Sequence, residues 1–355
     1  MRVALDGTPL TVTSGGIARY TRELSRALAE NFCEDDYWLV SDQAFRLPDH
    51  APPNLRQGGA PVRFWERRWW SVGLIAELAR RRIEVFHGTD FAVPYLPVRP
   101  AVLTLHDLSP WRDRYWHPDA GRVRRRTPIL LRLRLATMVL TPSEAVRREA
   151  IARFGIPPER IAAVPLAAAE VFRPVEAARE ARPYFLYAGV LEPRKNVRVI
   201  LDAWRQVRRN YPVDLVLAGR RRRDFPEIPP EPGLRLIGEA PEEELVRLYS
   251  NAVAFLYPSL YEGFGLPVVE AMSCGAPVIT SRDPAVAEVA GEAGLRLEAD
   301  EVSQWAQALD LALRNPAWRA GQREKSLARS REFSWARTAQ RTREVYQEAK
   351  RRFES

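Results

Sequence analysis

A chain of 355 residues, 46% of them hydrophobic, is long for one core and natural for two domains. Its net charge of +9 suits an anionic partner, but no zinc-finger spacing or RNA-recognition signature is present, so no nucleic acid is expected. No apolar run nears the ~20 residues that span a bilayer, the start Met-Arg-Val-Ala-Leu-Asp reads as a buried strand rather than a signal peptide, and two cysteines, Cys33 and Cys274, make no disulfide framework, so a reducing cytoplasm is the expected compartment.

In chain order, short runs rich in Val and Leu alternate with longer periodic stretches. Strands are expected at 2–5, 37–40, 62–65, 84–87, 101–105, 138–141 and 161–164, and helices at 16–30, 69–82, 122–136 and 143–154. Ser143 reads as the cap of the last of these. Residues 172–183, with Pro174 and Pro183 and no apolar period, read as a linker. The alternation then restarts, with strands at 184–188, 214–218, 234–237, 253–257 and 277–280. Helices are expected at 197–210, 242–250, 285–290 and beyond Glu301, the last at 334–353. Asp283-Pro284 reads as a cap followed by proline at the first helical position. Such alternation argues for parallel sheets covered by helices, whose ligands lie at the carboxyl ends of strands.

The chain is organised around Ser259-Leu-Tyr-Glu262-Gly-Phe-Gly265-Leu-Pro267-Val-Val-Glu270-Ala-Met-Ser-Cys-Gly275. It follows an apolar run, 252–257, that Pro258 ends. Gly263 and Gly265 permit a tight turn and close approach to a ligand, Pro267 suits the first position of a helix, and Gly275 supplies a stop. The free N–H groups at Gly265 and Leu266, with the positive end of the helix dipole, favour a phosphate. Glu270, in the first turn, would accept hydrogen bonds from a vicinal diol such as a ribose, and Glu262 precedes the turn. The bland alternative is a strand, turn and helix with two surface acids.

Other segments carry chemistry too. Glu192-Pro-Arg194-Lys195-Asn follows a strand ending in Gly189. Its lysine stands out, since Lys325 and Lys350 are the only others in a chain otherwise based on arginine. Arginine forks onto two phosphate oxygens and lysine acts as a point charge; a solvated basic loop is the alternative. Ser14-Gly15-Gly16 follows the first strand and opens a helix, without the dinucleotide fingerprint. His106, in Thr-Leu-His-Asp, ends an apolar strand, where it either packs or reaches a ligand. His87 occupies a similar strand end, and a structural role serves it as well. Gly219, at another strand end, suits a tight turn, with nucleotide contact the alternative. Finally, Arg122–Arg134 and Phe64–Trp70 mix arginines with aromatic and long apolar residues. A membrane interface accommodates such mixtures, and so does a core helix with a solvated arginine face.

The spacing Glu262-x7-Glu270, enclosing Gly-Phe-Gly-Leu-Pro and followed by Ala-Met-Ser-Cys-Gly-Ala-Pro-Val-Ile, resembles the signature of retaining glycosyltransferases of family 4. The resemblance extends over essentially the whole chain and is strongest from 184 to 291. It implies an α/β GT-B fold of two doubly wound, Rossmann-like domains facing a cleft: an acceptor-side domain at 1–172, onto which helix 334–353 crosses back, and a donor-binding domain at 183–333. It implies that Arg194 and Lys195 bind the donor diphosphate and steady it as it leaves, that Glu262 contacts the donor sugar, and that Glu270 holds the ribose. Gly15, Gly16, Gly189, Gly263, Phe264, Gly265 and Leu266 then line the donor, and His106 bonds the donor sugar or steadies the reacting centre.

The activity so implied is transfer of a hexose, mannose being preferred, from a GDP- or UDP-sugar to an acceptor hydroxyl with anomeric configuration kept. The acceptor would be a saccharide or a lipid-linked saccharide of cell-surface polysaccharide, lipopolysaccharide or glycolipid synthesis. Peripheral attachment at the inner face of an anionic cell membrane would follow if the basic–aromatic segments dock there. No cofactor and no metal are expected, because no Asp-x-Asp clamp occurs. The alternatives are a phosphorylase-type enzyme of the same fold, carrying pyridoxal phosphate on a lysine, and a non-catalytic nucleotide-sugar-binding or membrane-docking module.

Overall fold

In the computed structural model, which describes residues 1–12, 15–48, 50–61, 63–176 and 181–355, the Val- and Leu-rich runs of the first half become parallel strands. They are β1 (Arg2–Asp6), β2 (Asp36–Val40), β3 (Leu55–Gln57), β4 (Val85–Gly88), β5 (Ala101–Thr104), β6 (Met138–Thr141) and β7 (Ile161–Ala163), hydrogen-bonded in the order β3-β2-β1-β4-β5-β6-β7. Between them run α1 (Gly16–Asn31), α2 (Leu74–Arg80), α3 (Ser109–Arg112), α4 (Gly121–Arg132) and α5 (Glu144–Phe154). β4, β5 and β6 are buried at every residue, as strands covered by helices on both faces must be. Helix α1 turns Tyr20, Leu24 and Leu28 inward, a stripe of helical period. Ser143 caps α5, accepting a hydrogen bond from Val146 N at 3.2 Å.

Two expectations change here. The strand expected at 62–65 does not form: Phe64–Arg67 is a 3-10 turn, and the strand lies earlier, at β3; Val62 is outside the described residues. The segment folds on itself because Glu66 turns inward, accepting from Arg63 N at 3.3 Å and from Arg80 at 3.1 Å. The helix expected from Trp69 starts as a π-helical turn, Trp69–Gly73, and becomes regular only at Leu74.

The second half forms β8 (Tyr184–Ala188), β9 (Asp214–Ala218), β10 (Leu234–Gly238), β11 (Ala254–Tyr257), β12 (Val278–Ser281) and β13 (Gly294–Leu297), parallel in the order β10-β9-β8-β11-β12-β13. Its helices are α6 (Val197–Val207), α7 (Glu242–Asn251), α8 (Leu266–Ser273), α9 (Pro284–Ala290), α10 (Val302–Arg314) and α11 (Pro316–Ser330). α6 buries Val197, Ile200, Leu201 and Trp204 on one face. β13 was not foreseen; it is an edge strand whose Arg296 stays exposed, so it lacks a buried strand's apolar run.

Contacts divide the chain into two units, Met1–Leu166 with Ser334–Ser355, and Ala167–Phe333. The division precedes the 172–183 stretch read as a linker, because Phe172 is buried edge-on against Tyr249 of α7, ring centres 6.1 Å apart. Residues 177–180 of that stretch are outside the described residues. The final helix, α12 (Trp335–Glu354), belongs to the first unit for visible reasons. Its Tyr346 OH meets His87 Nδ1 at 2.7 Å, Thr338 Oγ1 donates to Pro165 O at 2.7 Å, and Arg343 pairs with Asp35 at 2.7 Å.

Each sheet grows outward in both directions from its first strand. In the first, the chain reverses its direction of growth between β1 and β4; in the second, between β8 and β11. At such a switch point the loops leaving the carboxyl ends of the two strands diverge and leave room for a ligand.

Candidate functional site

The loops beside the second sheet's switch point hold a cluster of buried charges: Glu192, Arg194, Lys195, Glu262 and Asp283. From β8 the chain passes Gly189 and enters a 3-10 turn, Pro193–Lys195, that delivers Arg194 and Lys195 side by side. From β11 it passes Pro258 to Glu262, Gly263 and Phe264 and enters α8, capped by Gly265. Gly265 sits at φ +97°, a conformation side chains disfavour, so glycine is what lets the chain turn into the helix here. Leu260 N donates to Arg194 O at 2.9 Å, tying the two loops by backbone. The loop after β9 joins them: Leu191 pairs with Arg221, and a Cβ on Gly219 would stand 1.9 Å from Gly189 O. Close backbone approach is therefore Gly219's function.

Charges alternate through this corner. Arg222 donates to one oxygen of Glu192 at 2.9 Å, and Arg194 donates to the other at 2.8 Å. Arg194 also donates to Glu262 Oε2 at 2.9 Å and to Tyr261 O at 2.8 Å. Lys195 pairs with Glu262 Oε1 and donates to Tyr257 OH at 3.0 Å. Arg194 and Lys195 are each only 8% exposed. From below, Asp283 Oδ2 accepts from Glu262 N at 3.3 Å, while its Oδ1 caps α9 through Ala285 N and Val286 N.

Burial alone would raise the Glu262 carboxyl, but the charges of Lys195 and Arg194 and the hydrogen bond from Lys195 outweigh it and hold the pKa at about 2. Burial lowers Lys195 in spite of Glu262, whose charge raises it, with Arg194 adding to the lowering. Glu262 therefore shifts as an ion pair requires, while Lys195, on which burial wins, does not. Asp283 moves up to about 6, through burial first and then the nearby Glu262 charge, despite its N–H donors.

The structure therefore brings Arg194, Lys195 and Glu262 together, with Gly263, Phe264, Gly265 and Leu266 leading directly from them. Phe264 is buried edge-on against Phe333, at 5.8 Å. Glu270 falls one residue deeper than expected: it is the fifth residue of α8, buried, and accepts from Tyr249 OH at 3.3 Å. Pro267 is correspondingly the second helical residue, not the first.

Gly15, Gly16 and His106 lie in the first unit. Gly15 caps α1, and both glycines face open space; Ser14 is outside the described residues. His106 follows β5, half-buried, its Nε2 2.7 Å from Thr89 O. A carbonyl only accepts, so Nε2 carries the proton; burial lowers the imidazole's pKa, leaving a neutral ring with Nδ1 as an acceptor. His87 is different. Its two nitrogens are occupied by Tyr346 OH and Thr104 Oγ1, each at 2.7 Å, and burial pushes its pKa down to about 3. It is a core histidine.

Sequence reasoning missed Glu192, Arg222 and Tyr257 altogether and saw in Asp283 only a helix cap. A signal existed for two of them: Glu192 opens the Glu-Pro-Arg-Lys run, and Asp283 follows a strand end.

Comparison with known proteins adds the family. Residues 14–168 match Glycosyltransferase Family 4, and residues 169–331 match Glycosyl transferases group 1. The chain is 31% identical to an O-antigen chain mannosyltransferase B of Escherichia coli over 98% of itself and 99% of that protein. It is also 31% identical to an MMP alpha-(1->4)-mannosyltransferase of Mycolicibacterium hassiacum over 98% of each. Among solved structures, a sucrose-phosphate synthase of Thermosynechococcus elongatus shares the fold with a TM-score of 0.75 at 20% identity, over 98% of each chain. With two Rossmann-like units of GT-B type and relatives of this kind over its whole length, the chain belongs to glycosyltransferase family 4 and is a hexosyltransferase.

Proposed function

We propose that this enzyme moves a hexose, mannose in the favoured case, from a nucleoside diphosphate sugar to an acceptor hydroxyl in the synthesis of a bacterial surface polysaccharide, lipopolysaccharide or glycolipid. Both relatives named above are mannosyltransferases, and one acts on an O-antigen chain. The observation that carries the reading is the adjacent, buried pair Arg194 and Lys195, held by Glu262 at a switch point beside the N-terminus of an α-helix. Fixed positive charge at such a place suits a diphosphate that gains charge as it departs.

In this reading the bond from the sugar's anomeric carbon to the diphosphate oxygen breaks, and its electron pair leaves with the nucleoside diphosphate. The acceptor oxygen bonds to the same carbon on the same face, and its proton passes to the departing phosphate oxygen. Retention follows from that geometry. Arg194 forks onto phosphate oxygens, Lys195 faces the breaking bond, and Glu262 fixes both cations. Gly189 and the segment 263–266 approach the donor by backbone, and Glu270 takes the ribose. These groups, rather than a divalent ion, neutralise the diphosphate, so activity should survive EDTA.

Calorimetry with GDP-mannose, UDP-glucose and their nucleoside diphosphates tests the donor. GDP-mannose is expected to bind most tightly, and Glu270→Ala to raise its dissociation constant roughly tenfold through the lost ribose hydrogen bonds. Binding of none of these nucleotides would sink the reading. Product NMR reports the anomeric configuration.

A further inference from the structure

Helix α4 has a face that ordinary solvation does not explain. Its sequence, Gly-Arg-Val-Arg-Arg-Arg-Thr-Pro-Ile-Leu-Leu-Arg, contains no acid. Thr127, Leu130 and Leu131 are buried against the unit. At about 100° per residue, Arg122, Arg125, Arg126, Ile129, Arg132 and the capping Leu133 fall within roughly 120° of the opposite side. Ile129 is 56% exposed and Leu133 62%. A helix face meant for water would mix signs of charge and would not expose two large aliphatic side chains among four arginines.

A second segment of the same unit repeats the combination. Around the 3-10 turn Phe64–Arg67, Arg63, Phe64, Trp65, Arg67 and Arg68 are all exposed, Phe64 by 82% and Trp65 by 55%. Its one acid, Glu66, is buried on Arg80. Trp70 links the two segments. Arg126 Cζ sits 5.3 Å over its ring, and Trp70 O accepts from Tyr95 N at 2.9 Å. The Tyr95 phenol in turn reaches Arg122 and Arg126, and Leu96 beside it is exposed. The nearest exposed acid along α4 is Asp119, before its first turn.

We propose that this face, α4 with the 63–70 segment, docks the enzyme on an anionic phospholipid membrane. The arginines meet lipid phosphates, while Phe64, Trp65, Ile129 and Leu133 enter among the headgroups. Charge decides for lipid over a second copy of the chain, which would set arginine against arginine. The exposed apolar tips decide for lipid over nucleic acid, which would leave them in water. The proposal is independent of the donor reading, and it is tested without donor or acceptor.

The full chain is sedimented with vesicles of phosphatidylcholine alone and of phosphatidylcholine with phosphatidylglycerol. It should pellet with the mixed vesicles, far less with the neutral ones, and be released by high salt. Arg122→Gln with Arg125→Gln should weaken binding roughly 25-fold, at about a factor of five per arginine. Phe64→Ser with Trp65→Ser, on the other segment, should weaken it with little change in salt dependence. Circular dichroism confirms that each variant is folded; if one is not, the other decides. Failure to pellet, equal binding to neutral vesicles, variants that bind like the parent, or a dimer in solution that the same substitutions break would each overturn the proposal.

Discussion

The two units repeat one strand order, with a seventh strand added in the first, and their switch-point corners differ in electrostatics. In the second unit, buried cations and acids are interleaved: Glu192 and Glu262 alternate with Arg222, Arg194 and Lys195, and Glu262 sits at about 2. In the first, burial outweighs the partners that the acids have. Asp6, at the end of β1, has its pKa pushed up to about 6 by burial, despite hydrogen bonds from Thr8. Asp90, after β4, also reaches about 6, burial outweighing the charge of Arg126. His106 nearby is neutral. The same backbone plan therefore presents fixed charge in one unit and hydrogen-bonding groups in the other. The first suits a phosphate; the second suits hydroxyls.

Breaking the interleaved corner should have the largest effect. Glu262→Gln leaves two buried cations facing a neutral amide, which should cost about 3–5 kcal/mol of stability. The parent's pH dependence points the same way. With the folded pKa of Glu262 at about 2, below its ordinary 4.5, its stabilisation is complete above pH 4.5 and is lost as pH falls through 2. Thermal unfolding of the variant should lack that acid limb; an unchanged limb would show the pair to be weak.

Lys195→Ala should follow, lowering turnover roughly 100- to 1,000-fold as one electrostatic support of the leaving group is lost, and weakening nucleoside diphosphate binding. Steady-state kinetics and calorimetry read the two effects separately; normal turnover would remove Lys195 from the chemistry.

Asp6→Asn sharpens the contrast from the other side. Here the folded pKa lies above the ordinary 3.8, so the folded chain binds the proton more tightly and stability falls as pH rises from 3.8 through 6. The loss is at most about 3 kcal/mol, and the asparagine variant should not show it. Melting curves at pH 4 and 7 compare the slopes, and parallel curves for parent and variant would place the proton elsewhere. The smallest effect is expected for His106→Ala: a five- to tenfold loss of turnover, about one hydrogen bond, with nucleotide binding intact. Loss of nucleotide binding in this variant would contradict the division of labour.

The sequence made the apolar centres of both sheets legible, because strands covered on both faces must be runs of Val, Leu and Ile. It was poorer at the edges. β3, Leu55-Arg56-Gln57, buries only Leu55, and β13 keeps an exposed arginine, so neither carries the pattern that marks a central strand. At the site, Arg194, Lys195 and Glu262 were readable as charges at strand ends. Their mutual pairing was not, because it depends on loops 67 and 68 positions apart meeting at a switch point. Arg222 and Asp283 escaped for the same reason: each meets a partner far away in sequence, Arg222 at Glu192 and Asp283 at Glu262.

Helix α12 has a consequence for how the molecule is made. Its Trp335, Tyr346 and Ala349 fill the core of a unit whose other residues end at Leu166, so the chain leaves that unit, builds the second, and returns. During synthesis the second unit has all its residues while the first still lacks a wall. The lobe begun earliest should be the last to gain native protease resistance, only after α12 has emerged from the ribosome.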